Sequence, residues 1–238
     1  MSFRQFAIGL TASFGIAWLA VVVVPFFKLR NPAPIAFQEG VDTQEGIYHP
    51  KRAGRVANGA HIYAANGCYE CHTQVARPSY AGNDLGRQDL AGLAPSLHPD
   101  GVDSRRESNI YDYIGLDFAP IGVTRLGPDL SNLGRRVEAE HGADAKDWLM
   151  LHLYDPRLDP ARRNWSSCPS MSFFFEKREI TGQPSDDALG VTVKKGWEVV
   201  PGEKAEALVS YLLSLKHDDP VPASMNYAPI KGDDNNEG

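Results

Sequence analysis

The hydrophobic positions of this chain change character along its length, and each change predicts a different kind of element. From Phe6 to Phe27 the chain runs without a charge, FAIGLTASFGIAWLAVVVVPFF. Coiled as a helix rising 1.5 Å per residue, such a run spans about 33 Å, enough to cross the hydrocarbon core of a bilayer. Pro25 falls in its last turn, where it is tolerated. A secretory signal sequence carries an apolar stretch of only about 7 to 15 residues and a small-residue cleavage site, so residues 1–30 are predicted to be a retained transmembrane anchor. Arg4 precedes the run and Lys28 and Arg30 follow it, which gives little charge asymmetry from which to read orientation.

Periodicity then lapses. Residues 31–52 carry Pro32, Pro34, Pro50, Gly40 and Gly46 and read as a linker that lifts a domain off the membrane. A helical period begins at Ala53, with Val56, Ala57, Ala60, Ile62, Tyr63 and Ala64 on an apolar face. Ser79 to Thr124 is rich in Gly, Asp and Pro without a period, an excursion too long for a simple connection and of the kind that carries function or packs on a partner. A further helix is predicted over Asp144 to Tyr154, N-capped by Asp144 and ended by Asp155-Pro156-Arg157. The last one runs from Pro201 to Lys216, with Ala205, Leu208, Val209, Leu212 and Leu215 at helical spacing. The pattern therefore predicts a mainly α chain: the anchor, the linker, one domain over residues 53–217 with long loop insertions, and a polar tail over 218–238 expected to be disordered or laid on a partner.

Composition narrows the function classes. Of 238 residues 42% are hydrophobic and 23% charged, while Gly and Pro supply 22 and 17, which agrees with a loop-rich domain that wraps a large apolar group. The net charge of -6 is concentrated in the tail, where five acids face Lys231 alone. No basic patch points to nucleic acid. Three cysteines exclude a disulfide framework.

Two of those cysteines form the most informative five residues, Cys68-Tyr69-Glu70-Cys71-His72. CxxCH is the attachment pattern of haem c: two thiols add across the vinyl groups and the adjacent imidazole becomes an axial iron ligand. A redox disulfide and half of a zinc site are the alternatives, but no second CxxC or HxxxH pair follows. Gly67 is expected to allow close approach of backbone to the cofactor. Arg77 is placed to fork onto a haem propionate, or is simply a solvated loop arginine. Gly127-Pro128, alone a turn signal, gains meaning downstream of CxxCH, where it is expected to bring a carbonyl to the second nitrogen of His72. His61, His98 and His152 read as surface or packing residues. The second axial ligand is expected in Trp165–Phe175, which offers Cys168 and Met171.

These elements together resemble the membrane-anchored monohaem subunit, subunit II, of cbb(3)-type cytochrome c oxidases. The resemblance is carried by GRVANGAHIYAANGCYECHTQVARP from Gly54 to Pro78, by RLGPDL from Arg125, by Trp148, His152-Leu153 and Asp155-Pro156-Arg157, and by the Ser-x-Pro-x-x-x-aromatic loop. It implies a class I cytochrome c domain whose first and last helices cross, one covalent haem c, and a body on the periplasmic side of a bacterial inner membrane. It implies partners too: another c-type cytochrome as donor, a catalytic haem-copper subunit as acceptor, and membrane lipid around Phe6 to Phe27. The chain would then be a non-catalytic subunit of an enzyme. In the family a Met directly before a Pro is the second ligand; here Cys168 stands at that position and Met171 where an aromatic belongs, so the ligand is Met171 if the loop shifts and Cys168 if register holds. Competing functions are the cytochrome partner of a nitric oxide reductase or quinol-oxidising complex, a haem-based sensor in which Cys168 is displaceable, and a zinc or thiol protein.

Overall fold

The structure, a computed structural model, describes residues 2–49, 52–87, 90–159 and 165–225. Helix accounts for about 41% of the chain against one small sheet, so it is mainly α.

The predicted anchor is a continuous helix over Phe3–Leu29, long and apolar enough to cross a membrane, and none of it is buried against the rest of the chain. It consists of α1 (Phe3–Trp18), a wider turn over Leu19–Val23 and α2 (Val24–Leu29). Ser2 and Gln5 cap its start reciprocally. Pro25 explains the wide turn: it has no N–H for the Val21 carbonyl and its ring crowds that oxygen, so the coil loosens ahead of it. The Val24 N–H accordingly reaches Leu19 O, five residues back, and the helix continues.

The linker is more ordered than its composition suggests. Ala36 and Ile47 form an antiparallel bridge, flanked by backbone hydrogen bonds from Phe37 to Gly46 O and from Tyr48 to Ile35 O, each 2.8 Å. Phe37 and Tyr48 meet edge to face across it. At its far end Arg52 donates to Ile114 O at 2.6 Å and to Asp112 O at 2.7 Å. These bonds tie the hairpin to the domain instead of leaving a free spacer.

The core is built where α3 (Gly54–Ala65) meets α6 (Glu203–Leu213). The contact requires Gly59, because a Cβ there would sit 2.5 Å from Tyr211 Cβ and 2.9 Å from the Ala207 carbonyl carbon. Next to it Tyr63 packs on Tyr211 with ring centroids 5.5 Å apart, and the Tyr211 hydroxyl donates to Gln74 Oε1 at 2.8 Å. A Gly59→Val variant should therefore lose about 3 kcal/mol of stability, since the obstacle is backbone and cannot rotate away; urea unfolding checks this, and a wild-type midpoint would show that the helices can slide apart freely.

Two elements escaped the pattern. Helix α4 (Leu133–His141) buries Leu133, Gly134 and Val137 under a run of charges, and Gly134 lets it close on the Leu213 carbonyl. The antiparallel pair β1 (Phe175–Glu179) and β2 (Trp197–Pro201), registered Phe175↔Pro201, leads into α6. Helix α5 (Ala145–Tyr154) begins where expected, but the Asp144 carboxylate makes no capping hydrogen bond; a single 3-10 turn over Gly142–Asp144 leads into the helix instead.

The excursion from Ser79 to Thr124 is folded too. Ala76, Leu90 and Ala91 form a small second core. Ladder-like bonds join Ser104 N to Leu93 O, Arg106 N to Ala91 O and Ser108 N to Ala76 O. Arg106 and Asp112 make a buried ion pair. Into this layer the chain beyond α6 inserts His217, which is 6% exposed; its Nδ1 is 2.8 Å from Ala91 O and its backbone N–H donates to Asn132 Oδ1 at 2.9 Å. Burial and, after it, the Arg106 cation push the imidazole down to about 4 despite the opposing pull of Asp112. Folding thus favours the neutral ring. Its contribution is complete above about pH 6.5, where the unfolded ring is also neutral, and is lost as pH falls toward the folded value. Stability should drop by about 2 kcal/mol between pH 7 and pH 5 on this account. A His217→Gln variant should flatten that slope in urea titrations; an unchanged slope would place the proton elsewhere.

The expected tail also begins later than Asp218. Asp218 accepts from Arg135 Nε at 2.9 Å, Asn109 donates to Met225 O, and Met225 is fully buried. Its first eight residues lie on the domain because they carry a burial-worthy methionine and a partnered acid; residues 226–238 lie outside the described residues.

Candidate haem attachment site

Helix α3 ends at Asn66, and Gly67 turns the chain with φ 67° into a 3-10 turn over Cys68–Glu70. A Cβ on Gly67 would meet nothing nearer than Glu70 Cγ at 3.7 Å, so toward the protein's own atoms what this glycine supplies is left-handed backbone. The turn closes with His72 N–H on Cys68 O at 3.1 Å, which presents both thiols and the imidazole from one short arc.

The segment from Ile121 to Leu130 wraps this arc. Val123 donates to Tyr69 O, Gln74 to Ile121 O, Gly127 to Cys71 O and Leu130 to Thr73 O, at 2.8 to 2.9 Å. At the centre, His72 Nδ1 lies 2.8 Å from Pro128 O. A carbonyl only accepts, so Nδ1 carries the proton and Nε2 is the basic nitrogen. The ring lies against Gly127: any Cβ there would fall 2.6 Å from Nδ1 and 2.8 Å from Nε2. The Pro128 carbonyl therefore reaches the second nitrogen of His72 as expected, and the structure adds that Gly127 leaves the ring its space.

The loop that carries Cys168 and Met171 is held against the end of α5 through that helix's unsatisfied carbonyls. Met171 N–H donates to Leu153 O at 2.8 Å and Ser170 Oγ to Tyr154 O at 2.5 Å. Arg157, paired with Asp155 at 3.0 Å, donates to Cys168 O at 3.1 Å. Cys68 and Met171 pack against the same hydrophobic core. Burial first, and then the neighbouring Cys168 thiol, push Cys68 up to about 11. The fold thus places Met171 on the core that also receives Cys68, with Cys168 on the same loop as Met171.

Arg77 is placed differently. Its backbone N–H, Nε and Nη2 all donate to Asp84, at 2.8, 3.0 and 2.9 Å, so an internal carboxylate engages it. Asp84 is 2% exposed and also takes two bonds from Arg125, at 2.8 and 2.7 Å. Burial alone would raise its pKa, but the two guanidinium groups hold it well below the ordinary carboxylate range. Asp84 and Arg125 were missed as site residues, since an Asp in a Gly-rich loop carries no local mark of a distant cation.

The other histidines have ordinary roles. His61 is exposed, 3.5 Å from Asp117. His98 Nδ1 accepts from Asp100 N–H within a turn. His152 stacks on Trp148, which stacks in turn on His141.

An apolar recess of about 410 Å³ borders the motif, lined by Tyr69, Phe118, Pro120, Ile121 and Val123. A larger and more polar cavity, about 560 Å³, lies beneath the linker hairpin beside Arg106, Tyr113 and His217, and none of Cys68, Cys71, His72, Cys168 and Met171 lines it. No disulfide joins the three cysteines, and among the described residues no group of three or more His, Cys, Asp or Glu side chains is arranged to hold a bare metal ion. Two thiols on one turn, an imidazole with an assigned basic nitrogen and a glycine cradle beneath it suit a planar, covalently tethered metal group better than a tetrahedral ion. No known family model matches the chain, and no curated protein matches it either.

Proposed function

We propose that the chain is a c-type cytochrome: Cys68 and Cys71 hold one haem by thioether bonds, His72 Nε2 is an axial ligand, and the protein carries single electrons. The observation that carries this reading is the His72 ring, fixed at Nδ1 by Pro128 O and seated on the bare face of Gly127. Bound haem supplies reversible one-electron chemistry at iron. The contribution of this chain is to tether, orient and shield. Pro128 O raises the donor strength of the imidazole. Met171, fixed through its N–H to Leu153 O and packed on the core that also receives Cys68, is the proposed second ligand. The crossing of α3 and α6 at Gly59 supports the class I cytochrome c arrangement.

The particular role that fits best is that of the anchored monohaem subunit of a cbb(3)-type oxygen reductase, as the motifs from Gly54 to Pro78 and from Arg125 suggest. The Phe3–Leu29 helix supports a place beside a membrane-embedded partner. The domain would face the periplasm, take electrons from another c-type cytochrome and deliver them to the haem-copper subunit. Purification of the full chain with its membrane neighbours tests this role: oxygen consumption with a reduced c-type donor is expected, and nitric oxide consumption without it would assign the chain to the other complex.

A further inference from the structure

The turn that holds His72 is itself held, and the fastening comes from the excursion. Arg125 stands two residues before Gly127 and Asp129 one residue after Pro128, so these two charges bracket the pair that contacts the ring. Both are tied down. Arg125 donates to Asp84 Oδ1 at 2.8 Å and Oδ2 at 2.7 Å, to Val75 O at 2.8 Å and to Thr73 Oγ1 at 2.8 Å. Asp129, 1% exposed, accepts from Thr73 Oγ1 at 2.5 Å and from Val75 N–H at 3.1 Å. Thr73 and Val75 stand one and three residues after the ligand histidine. Asp84 is the one member of the cluster that lies in the excursion, and it holds Arg125 by two parallel bonds, the geometry that best fixes direction. On its other side it takes Arg77.

We propose that Asp84 is a positioning residue for the proximal ligand: through Arg125 it fixes the Arg125–Asp129 turn so that Pro128 O stays on His72 Nδ1. This rests on the haem reading above. The excursion thereby acquires a role in the site, since the carboxylate that locks the turn lies in it. A carboxylate offers the two guanidinium groups two charged acceptor oxygens, where an amide offers one neutral one. When it is neutralised the turn loses its outer anchor, the carbonyl drifts from Nδ1, and the imidazole becomes a poorer donor. A poorer donor stabilises ferric iron less, so the reduction potential rises.

The test uses the full chain, matured with its haem and purified from membranes. Asp84→Asn is expected to raise the ferrous-to-ferric ratio at a fixed ambient potential by at least about threefold, with the covalent haem retained. Two controls separate positioning from mere stability. Asp112→Asn breaks the other buried ion pair, with Arg106, away from the turn; it is expected to lower stability and leave the potential unchanged. Arg77→Gln removes the outer guanidinium but leaves Arg125 on Asp84, and is also expected to leave the potential unchanged. Asp84→Glu should restore part of the shift. If Asp84→Asn does not accumulate, Arg125→Lys, which keeps the charge and loses the fork, is expected to give the same upward shift. A wild-type potential in whichever of these two variants folds overturns the inference, as does an equal shift in Asp112→Asn. A wild-type chain without covalent haem overturns the functional reading instead.

Discussion

A Gly127→Val variant is expected to lose most of its correctly ligated haem, with the yield of low-spin pigment per polypeptide falling at least about tenfold. The reason is geometric. The His72 ring occupies the space where any side chain at position 127 must go, with Nδ1 at 2.6 Å and Nε2 at 2.8 Å from an added Cβ. The ring is also pinned at Nδ1 by Pro128 O, so it cannot retreat without giving up that hydrogen bond. Gly127→Ala should already show the effect in weaker form, because the Cβ alone supplies the clash and the extra methyls of valine worsen it. Absorbance of the reduced protein per unit of polypeptide measures both. Normal pigment and spectrum in both variants would mean that His72 is oriented by something other than this cradle.

Replacing the second sulfur donor should have the largest effect on redox behaviour. With Met171 as ligand, Met171→Ala is expected to abolish the near-infrared ferric charge-transfer band of thioether coordination and to lower the potential by a few hundred millivolts, a large share of the roughly 0.8 V range over which axial ligands tune haem. Cys168→Ala should leave both nearly unchanged. The reverse pattern would assign the iron to Cys168 and would also fit the low potential expected of an anionic donor. The geometry makes this a clean comparison. Cys168 and Met171 lie on one loop, which is fastened by the Met171 N–H to Leu153 O and by Ser170 Oγ to Tyr154 O of α5, and by Arg157 to Cys168 O. Each side chain can be cut back without releasing the loop.

The parts of this molecule that were legible in its sequence are those fixed by short-range chemistry. The uncharged run of Phe6 to Phe27 needs only length to be a spanning helix, and the structure extends it to Phe3–Leu29. Cys68, Cys71 and His72 need only one turn of backbone, and Gly127-Pro128 need only a position after that turn. Long-range pairing was not legible. Helix α4 buries three residues out of nine beneath charged neighbours, too sparse a pattern to announce itself. Arg77 lies close to the motif and so suggested a propionate partner; what decides its direction is the buried carboxylate of Asp84, for which no local signal exists. The linker and the start of the tail were underestimated for a related reason. Proline, glycine and acidic residues signal the absence of regular structure, but they do not prevent Arg52, Asp218 or Met225 from being fastened to a domain they reach from far along the chain.

Every part of the account depends on a haem joined to the polypeptide at Cys68 and Cys71. Acidified-acetone extraction of the full chain, expressed with a competent cytochrome c maturation system and followed by intact-mass measurement, tests this directly. The account predicts that the pigment stays with the protein, that the mass exceeds that of the bare chain by one haem, and that the double variant Cys68→Ser/Cys71→Ser loses both. A colourless wild-type chain of unmodified mass, or a pigment that leaves entirely with the solvent, would contradict it.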